Sequence, residues 1–518
     1  MNRILLGLTH VVCTIVPNLM AATAVPGDLD LSFGTAGSLT SFTPGSVKIQ
    51  TDGKLVVVGA APGGGHPDFG LVRYLTDGSL DTTFGVGGKV TVDLSGSAYE
   101  DEAHAVVIQS DGKLVVAGYS DGKFAVARFT TNGAFDTTFG INGVVVLSNT
   151  IYPLSGVGAT SLAIQTDGKI VFAGPRISLA GNQDFNVFRL TATGDMDTSF
   201  GSDGSATADF ASGSDWPTSL ALTSAGKIIV VGYTTPTGTG SHNDIGAVAC
   251  FTSNGGLDTT FSTDGKTTLQ LGLDVTLLSN VAVLASGKVM VAGQGTVDPL
   301  TTGSDFVLAR YNTDGSLDAT FGTNGIVTTD LSATSSAGYY TYDAAQSLAI
   351  QPDGNMILSG TSYDVISGGG GITHMALTRH LPDGTLDTSF GKNGMAIALI
   401  GSSKDTVSSS ALQTDGKIVI LGTSTTGGIV SPATVRFWGF TPHETWRLKY
   451  FGSTVNTGSA ADASDFDLDG LSNLLEYALG TSPKSGANGA NNLAYSLAHV
   501  GGMTTQQLLS PNPMVRKT

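Results

Sequence analysis

Residues 465–483 read DFDLDGLSNLLEYALGTSP, and their spacing is suited to holding a cation. Asp465, Asp467 and Asp469 alternate, so a turning chain brings three carboxylates toward one point, where they repel unless a positive charge lies among them. Gly470 permits the sharp turn that wraps the chain around that point. Leu471 would add its backbone carbonyl, and Asn473 would reach the ion directly or through water. Glu476 can supply both oxygens from the first turns of a helix that Gly480 and Pro483 then end. The whole stretch fits Asp-x-[Asp/Asn]-x-[Asp/Asn]-Gly-x5-Glu, an all-oxygen set suited to calcium, which takes six to eight such ligands. The simpler alternative is an acidic helix-capping loop without metal; it does not call for four acids and a glycine at these intervals.

Upstream, HETWRLKYFG (443–452) places Trp446, Leu448, Tyr450 and Phe451 near a helical spacing, with Gly452 as terminator. This helix and loop over about 443–483 resemble the single EF-hand-like, dockerin-like or thrombospondin-type-3-like calcium loops of secreted bacterial proteins. Only one loop is visible, whereas regulatory EF-hands and dockerins carry two, so neither a switch nor cohesin binding follows. The resemblance implies a structural extracellular site of weak affinity, on the order of 0.1–1 mM. The tail 484–518 has weak alternation and is expected to be a poorly ordered end or a truncated module.

Other chemistry-bearing patterns are missing from the sequence. It contains no His-Glu-x-x-His, Gly-x-Ser-x-Gly, phosphate-binding Gly-x-x-x-x-Gly-Lys-Ser/Thr or Cys-x-x-Cys. The Ser-x-Asp-x-Gly-x-Thr-Trp turn of sialidase-type propellers is absent too. Of 518 residues, 71 are glycine and only 13% are charged, with a net charge of −17. That balance opposes nucleic-acid binding, which needs clustered Lys and Arg. Glycine with 41% hydrophobic residues fits many short strands and turns.

Two signatures alternate through most of the chain. One is LDxxFG, as in LDLSFG (29–34), LDTTFG (80–85) and LDTSFG (386–391). The other is an Asp-Gly-Lys turn whose glycines are Gly53, Gly112, Gly168, Gly226, Gly287, Gly354 and Gly416. These lie roughly 60 residues apart, giving seven units. Unit two shows four strand candidates at 104–109, 113–119, 124–129 and 143–147. Four short strands repeated seven times predict an all-β, seven-bladed β-propeller over 25–440. The chain begins with one strand, about 37–42, and its last unit has only three, so the N-terminal strand is expected to complete the seventh blade.

LDTTFG…DGKLVVAG…ARF resembles the delta-60 repeat family of bacterial β-propeller proteins over about 29–440, a resemblance that implies the fold and no established activity. The fourth unit departs from the pattern, with SAGK for xDGK, Ser262 for Gly, and Cys250 where other units have Arg.

Arg73, Arg128, Arg189, Arg310, Arg379 and Arg436 recur on the third strand, and Asp30, Asp81, Asp136, Asp197, Asp258, Asp318 and Asp387 in the LDxxFG motif. A catalytic site is not expected in seven similar copies. These residues are read as structural, with each Asp organising its turn, each Phe filling space between blades and Arg meeting Asp within a blade. The connections between second and third strands vary instead, and that face carries Trp216, Tyr339, Tyr340, Tyr342, Tyr363, His66, His242 and His374 as candidates for sugar stacking or protein contact.

Residues 1–24 have the pattern of a secretory signal: Arg3, an apolar run over 4–16, and small residues ending at Ala24, where cleavage is expected. No stretch reaches the length of a membrane span. The mature chain would keep one cysteine, Cys250, and no intrachain disulfide. The expectation is a secreted, cell-surface or periplasmic, non-enzymatic scaffold or recognition protein, monomeric, with a matrix or surface protein or a polysaccharide as partner. The alternatives are a propeller hydrolase or lyase acting on polysaccharide, and a carbohydrate-binding protein.

Overall fold

The computed structural model describes residues 24–486 except 35–37, 40–41, 64, 95, 97–98, 148–157, 178–180, 211–212, 238–242, 273–274, 297–302, 332–341 and 367–369, together with 495–500 and 503–508. The leader expected over 1–24 lies almost wholly outside the described residues. The chain divides into one unit over Gly27–Gly439 and another formed by Met1–Pro26 with Phe440–Thr518.

In the first unit each repeat folds as an antiparallel meander. Blade 2 is Asp101–Ile108, Leu114–Ser120, Lys123–Phe129 and Val144–Val146, paired in sequence order. Its first turn is built by SDG: Gly112 has φ 82°, the Lys113 amide donates to Asp111 Oδ1 at 3.1 Å, and the Gln109 amide closes the hairpin onto the Lys113 carbonyl at 2.8 Å. Residues Leu114–Ser120 are buried throughout, because the second strand has a blade on either side. That is why these strands read as continuous apolar runs instead of alternating.

The glycine of VVAG has a separate cause. The first strand carries a bulge between Ala103 and Ala105, and a Cβ on Gly118 would run into the Glu102 carbonyl oxygen. The same bulge recurs between Pro217 and Ser219, where Gly232 meets the Trp216 carbonyl in the same way.

Blades 1 and 3–5 repeat this four-stranded order over 43–92, 161–208, 214–269 and 276–329. Blade 6 runs from Tyr342–Ile350 to Met395–Ala398, and blade 7 contributes Lys404–Leu412, Ile418–Thr426 and Ile429–Phe437. A single parallel bridge, Thr373 to Lys404, joins these two into one sheet. Ser38–Leu39, inside the expected 37–42, pairs with Val435 and Thr434 on the third strand of blade 7; residues 37, 40 and 41 of that expectation lie outside the described residues.

Hydrophobic cores lie between consecutive blades. Phe84 of LDTTFG sits with Val56, Val58 and Leu71 of blade 1 against Leu114, Val116 and Phe129 of blade 2. Each such phenylalanine contributes about 1.5–3 kcal/mol by burial. Val419 and Leu421 of blade 7 pack with Val47, Leu55 and Val57 of blade 1, joined by Phe33 and Phe42.

In the second unit, one helix spans Pro442–Phe451, started by a capping box in which the Glu444 amide donates to Thr441 Oγ1 at 3.1 Å and the Thr441 amide to Glu444 at 2.8 Å, and ended by Gly452 at φ 70°. A shorter helix spans Asn473–Leu479 and ends at Gly480, φ 71°. His443 stacks on Tyr477 with centroids 4.2 Å apart, Trp446 meets Tyr477 edge-on, and Phe451 contacts Phe466. Arg447, buried at its base, donates to Asp462 at 2.6 Å. Within 484–518 a hairpin pairs Tyr495–Val500 with Met503–Leu508.

Candidate metal centre

The acidic loop turns as its sequence requires. Gly470 has φ 93° and Leu468 is also left-handed at φ 61°. The Asp469 and Gly470 amides donate to Asp465 at 3.2 and 2.9 Å, and the Leu471 amide donates to Asp469 Oδ1 at 3.0 Å. These bonds hold one carboxylate oxygen each of Asp465, Asp467 and Asp469 within 4.8 Å of one another.

The remaining polar atoms are more informative. Both carboxylate oxygens of Asp467, Oδ2 of Asp469, Oδ1 of Asn473 and Oε2 of Glu476 are buried without a hydrogen bond. Asn473 is fully buried and spends its amide nitrogen on the Ser459 and Ala461 carbonyls, at 2.8 and 2.7 Å, which leaves its oxygen free. Glu476 is fully buried as well; burial, then Asp467 and Asp469, push its carboxyl up to about 7. Leaving five oxygens dry and unpaired is costly, and a hard cation satisfies all of them at once. Leu471 is buried beside them. Sequence reasoning named every one of these residues but missed the Ser459 and Ala461 carbonyls that orient Asn473; no local pattern marks them.

The recurring Arg and Asp are occupied by structure. Arg189 Nε donates to Asp197 at 2.8 Å, its Nη1 donates to the Ser253 carbonyl of blade 4 at 2.5 Å, and its guanidinium lies 4.5 Å from the Phe200 ring centroid. The same set recurs at Arg73, Arg128, Arg310 and Arg379, each reaching a carbonyl of the next blade. Arg436 completes the series: it pairs with Asp30 at 2.7 Å and donates to the Thr76 carbonyl of blade 1 at 2.6 Å. The lysine of Asp-Gly-Lys joins in, as with Lys169 and Asp197 at 3.1 Å. Burial raises the Asp197 carboxyl, yet Ser199, Lys169 and Arg189 together hold it well below its usual range. In blade 4 the Cys250 thiol lies 3.7 Å from Asp258, and Lys227 approaches that carboxylate to 2.5 Å in place of the missing arginine. Burial, then Asp258, pushes the Cys250 thiol up to about 12.

The variable-face candidates gather only in part. Tyr342 and Tyr363 pair across strands of blade 6 with ring centroids 6.4 Å apart, and His374 in the same blade lies 3.2 Å from Asp364. Trp216 is half-buried on the first strand of blade 4, and His66 is exposed before the third strand of blade 1. Tyr339, Tyr340 and His242 lie outside the described residues. A cleft of about 1120 Å³ is lined instead by repeat turns of blades 2–4 such as Gly140, Met196 and Gly201.

Repeated four-stranded meanders, packed face to face and linked from every blade but the fourth by a matching Arg bond, define a β-propeller repeat protein. Seven segments, at 50–84, 109–139, 165–200, 224–261, 284–321, 351–390 and 413–438, match the family described as "Domain of unknown function (DUF5122) beta-propeller". No curated protein matches the sequence. Among solved structures, the chain is similar to a PL25 ulvan lyase (11% identity, 76% of this chain and 95% of that one, TM-score 0.40). It is also similar to Chaetomium thermophilum Sqt1 bound to the N-terminus of ribosomal protein L10 (13% identity, 78% and 99%, TM-score 0.40). A third is a protein of unknown function from Dyadobacter fermentans (10% identity, 69% and 97%, TM-score 0.34). Among the described residues no helix is long and apolar enough to cross a membrane.

Proposed function

We propose that this is an exported, non-catalytic β-propeller scaffold or recognition protein whose C-terminal module is ordered by one Ca²⁺. The observation that carries the calcium reading is the set of buried, unpaired oxygens on Asp467, Asp469, Asn473 and Glu476 around the Asp465–Asp469 turn. With the ion bound, Asp465, Asp467, Asp469, Asn473, Glu476 and the Leu471 carbonyl supply its ligands, and the Ser459 and Ala461 carbonyls keep the Asn473 oxygen facing it. The ion's role is structural: it neutralises converging carboxylates and ties the turn to the Asn473–Leu479 helix.

The scaffold reading is supported by the use of the repeated charged groups, which pair with one another and with the neighbouring blade. Pairing of Ser38–Leu39 with blade 7 and the Arg436 bond to Thr76 favour a propeller closed by its N-terminal strand. The variable face, with the Tyr342–Tyr363 pair, is the surface offered to a matrix or cell-surface protein or a polysaccharide.

The test is Ca²⁺ binding measured on the full chain and on Asp467→Ala. Loss of one equivalent in the variant is the expected result. Equal binding by the two chains would reduce the loop to a helix cap. Removing residues 25–44 is expected to lower the unfolding midpoint; an unchanged midpoint would refute closure by that strand.

A further inference from the structure

Three more carboxylate triads lie in the propeller, far from the C-terminal loop in sequence: Asp68, Asp93 and Asp101; Asp184, Asp209 and Asp215; Asp305, Asp330 and Asp343. In each triad one carboxylate oxygen per residue lies within 4.8 Å of the other two. Each is assembled alike. The first Asp stands five residues before the repeat arginine on the third strand, at Arg73, Arg189 and Arg310. The second directly follows the fourth strand of that blade, and the third is the first or second residue of the first strand of the next blade. The triads therefore span the boundaries between blades 1 and 2, 3 and 4, and 5 and 6.

The third member has an ordinary structural task. Oδ2 of Asp101, Asp215 and Asp343 accepts the amide of Leu94, Phe210 and Leu331 at 2.7, 2.7 and 2.8 Å. Asp405 makes the same bond to the Ile400 amide at 2.5 Å, and Thr276 Oγ1 does the same for Leu271 at 3.0 Å. At those two boundaries the positions of the first Asp hold His374 and Ile245, and no triad forms among the described residues. The backbone bond thus needs one polar side chain. The two extra carboxylates arrive together, in the same three blades, for some other purpose.

Their surroundings point to a ligand. Asp215 and Asp343 are fully buried and Asp305 is 6% exposed, and each has a buried Oδ1 with no hydrogen bond. Burial, then Asp330, pushes Asp305 up to about 6. Around Asp184 and Asp215 the cations Arg176 and Lys266 give partial relief. Carboxylates crowded around a buried, unpaired oxygen of Asp215, or of Asp305 and Asp343, with no nitrogen or sulfur ligand, suit a hard divalent ion.

We propose that the boundaries between blades 3 and 4 and between blades 5 and 6 each hold a divalent cation of the Ca²⁺ type, which staples the third and fourth strands of one blade to the first strand of the next. The ion at Asp184, Asp209 and Asp215, facing Arg176 and Lys266, is the weaker bound. Affinities in the range of extracellular modules, about 0.1–1 mM, are expected.

The exposed members allow a test that spares the core. Full-length Asp467→Ala, lacking the C-terminal loop site, is dialysed against Ca²⁺ alone up to millimolar concentration. It is expected to retain up to two equivalents and to melt higher with Ca²⁺ than with chelator. Adding Asp330→Asn removes one equivalent. Adding Asp209→Asn and Asp330→Asn together removes both and the calcium-dependent rise in Tm, while Asp111→Asn, in an exposed turn, changes neither. A folded Asp467→Ala chain that binds no Ca²⁺, or a chain with Asp209→Asn and Asp330→Asn added that binds as much as its parent, overturns the proposal. Either result leaves the C-terminal loop to be judged by its own lost equivalent.

Discussion

Arg189→Cys gives blade 3 what blade 4 has by nature at Cys250, and so measures what the repeated arginine contributes. The variant loses the bond to the Ser253 carbonyl of blade 4, the contact over the Phe200 ring and one of two cations on Asp197. A charge-assisted hydrogen bond is worth about 1.5–3 kcal/mol, and a cation over an aromatic ring about 0.5–2 kcal/mol. Breaking a buried pair outright costs about 3–5 kcal/mol. Lys169 stays at Asp197, 3.1 Å away, and Lys227 at Asp258 shows how far such a lysine closes in, so the ion-pair loss is only partial. The net expectation is about 3 kcal/mol. With a urea slope of about 3 kcal/mol per molar for a propeller of this size, the unfolding midpoint falls by about 1 M. Cys250→Ala, which gives up only packing, serves as the reference and is expected to cost about 1 kcal/mol. A midpoint for Arg189→Cys no lower than that of Cys250→Ala would refute the claim that these arginines bind blade to blade.

Gly118→Ala drives a Cβ into the Glu102 carbonyl, whose position the bulge fixes, and is expected to cost about 2–3 kcal/mol by urea unfolding, whereas Gly122→Ala, with open space around it, loses about 1 kcal/mol from its left-handed φ of 69° alone. The Cys250 thiol, buried and raised to about 12, is expected to resist iodoacetamide at pH 8 in the folded chain and to react once urea unfolds it; labelling of the native protein at Cys250 would contradict its burial. Burial raises Asp258, but Lys227 and Thr260 outweigh it and bring the carboxyl down to about 2 from an ordinary 3.8. A depressed carboxylate stabilises the fold above its unfolded pKa and loses that contribution as pH falls toward the folded value. The stability gap between the native chain and Asp258→Asn should therefore be full above pH 5 and narrow between pH 3.8 and 2; a gap that widens on acidification would reverse the sign.

Much of this molecule is written locally. Asp-Gly-Lys places a left-handed glycine between two apolar runs, which is enough to specify a hairpin, and the first helix is marked by Thr441, Pro442, Glu444 and Gly452 in order. The strand limits in blade 2 are legible to within a few residues for the same reason. The acidic loop is legible because its converging side chains all come from 465–476, a span short enough for spacing alone to dictate convergence. The triads have no such signature. Asp68 and Asp93 lie at neighbouring ends of the paired third and fourth strands but Asp101 belongs to the next blade, so their meeting depends on blade offset, which no local spacing encodes. The variable-face residues fare similarly: the cross-strand register joins Tyr342 to Tyr363, while Trp216 sits two blades away.

The sequence by itself determined the repeat, its four strands, the pairing of its recurring charges within a blade, and the acidic turn at 465–476. Each of those depends on residues close together along the chain, where turn geometry and side-chain period set what can touch. Only the tertiary structure decided that Arg436 reaches Thr76, that Val419 packs on Val57, and that three sets of carboxylates converge at alternate blade boundaries. Those contacts join different blades, and their geometry follows from how one twisted sheet seats its apolar face on the next.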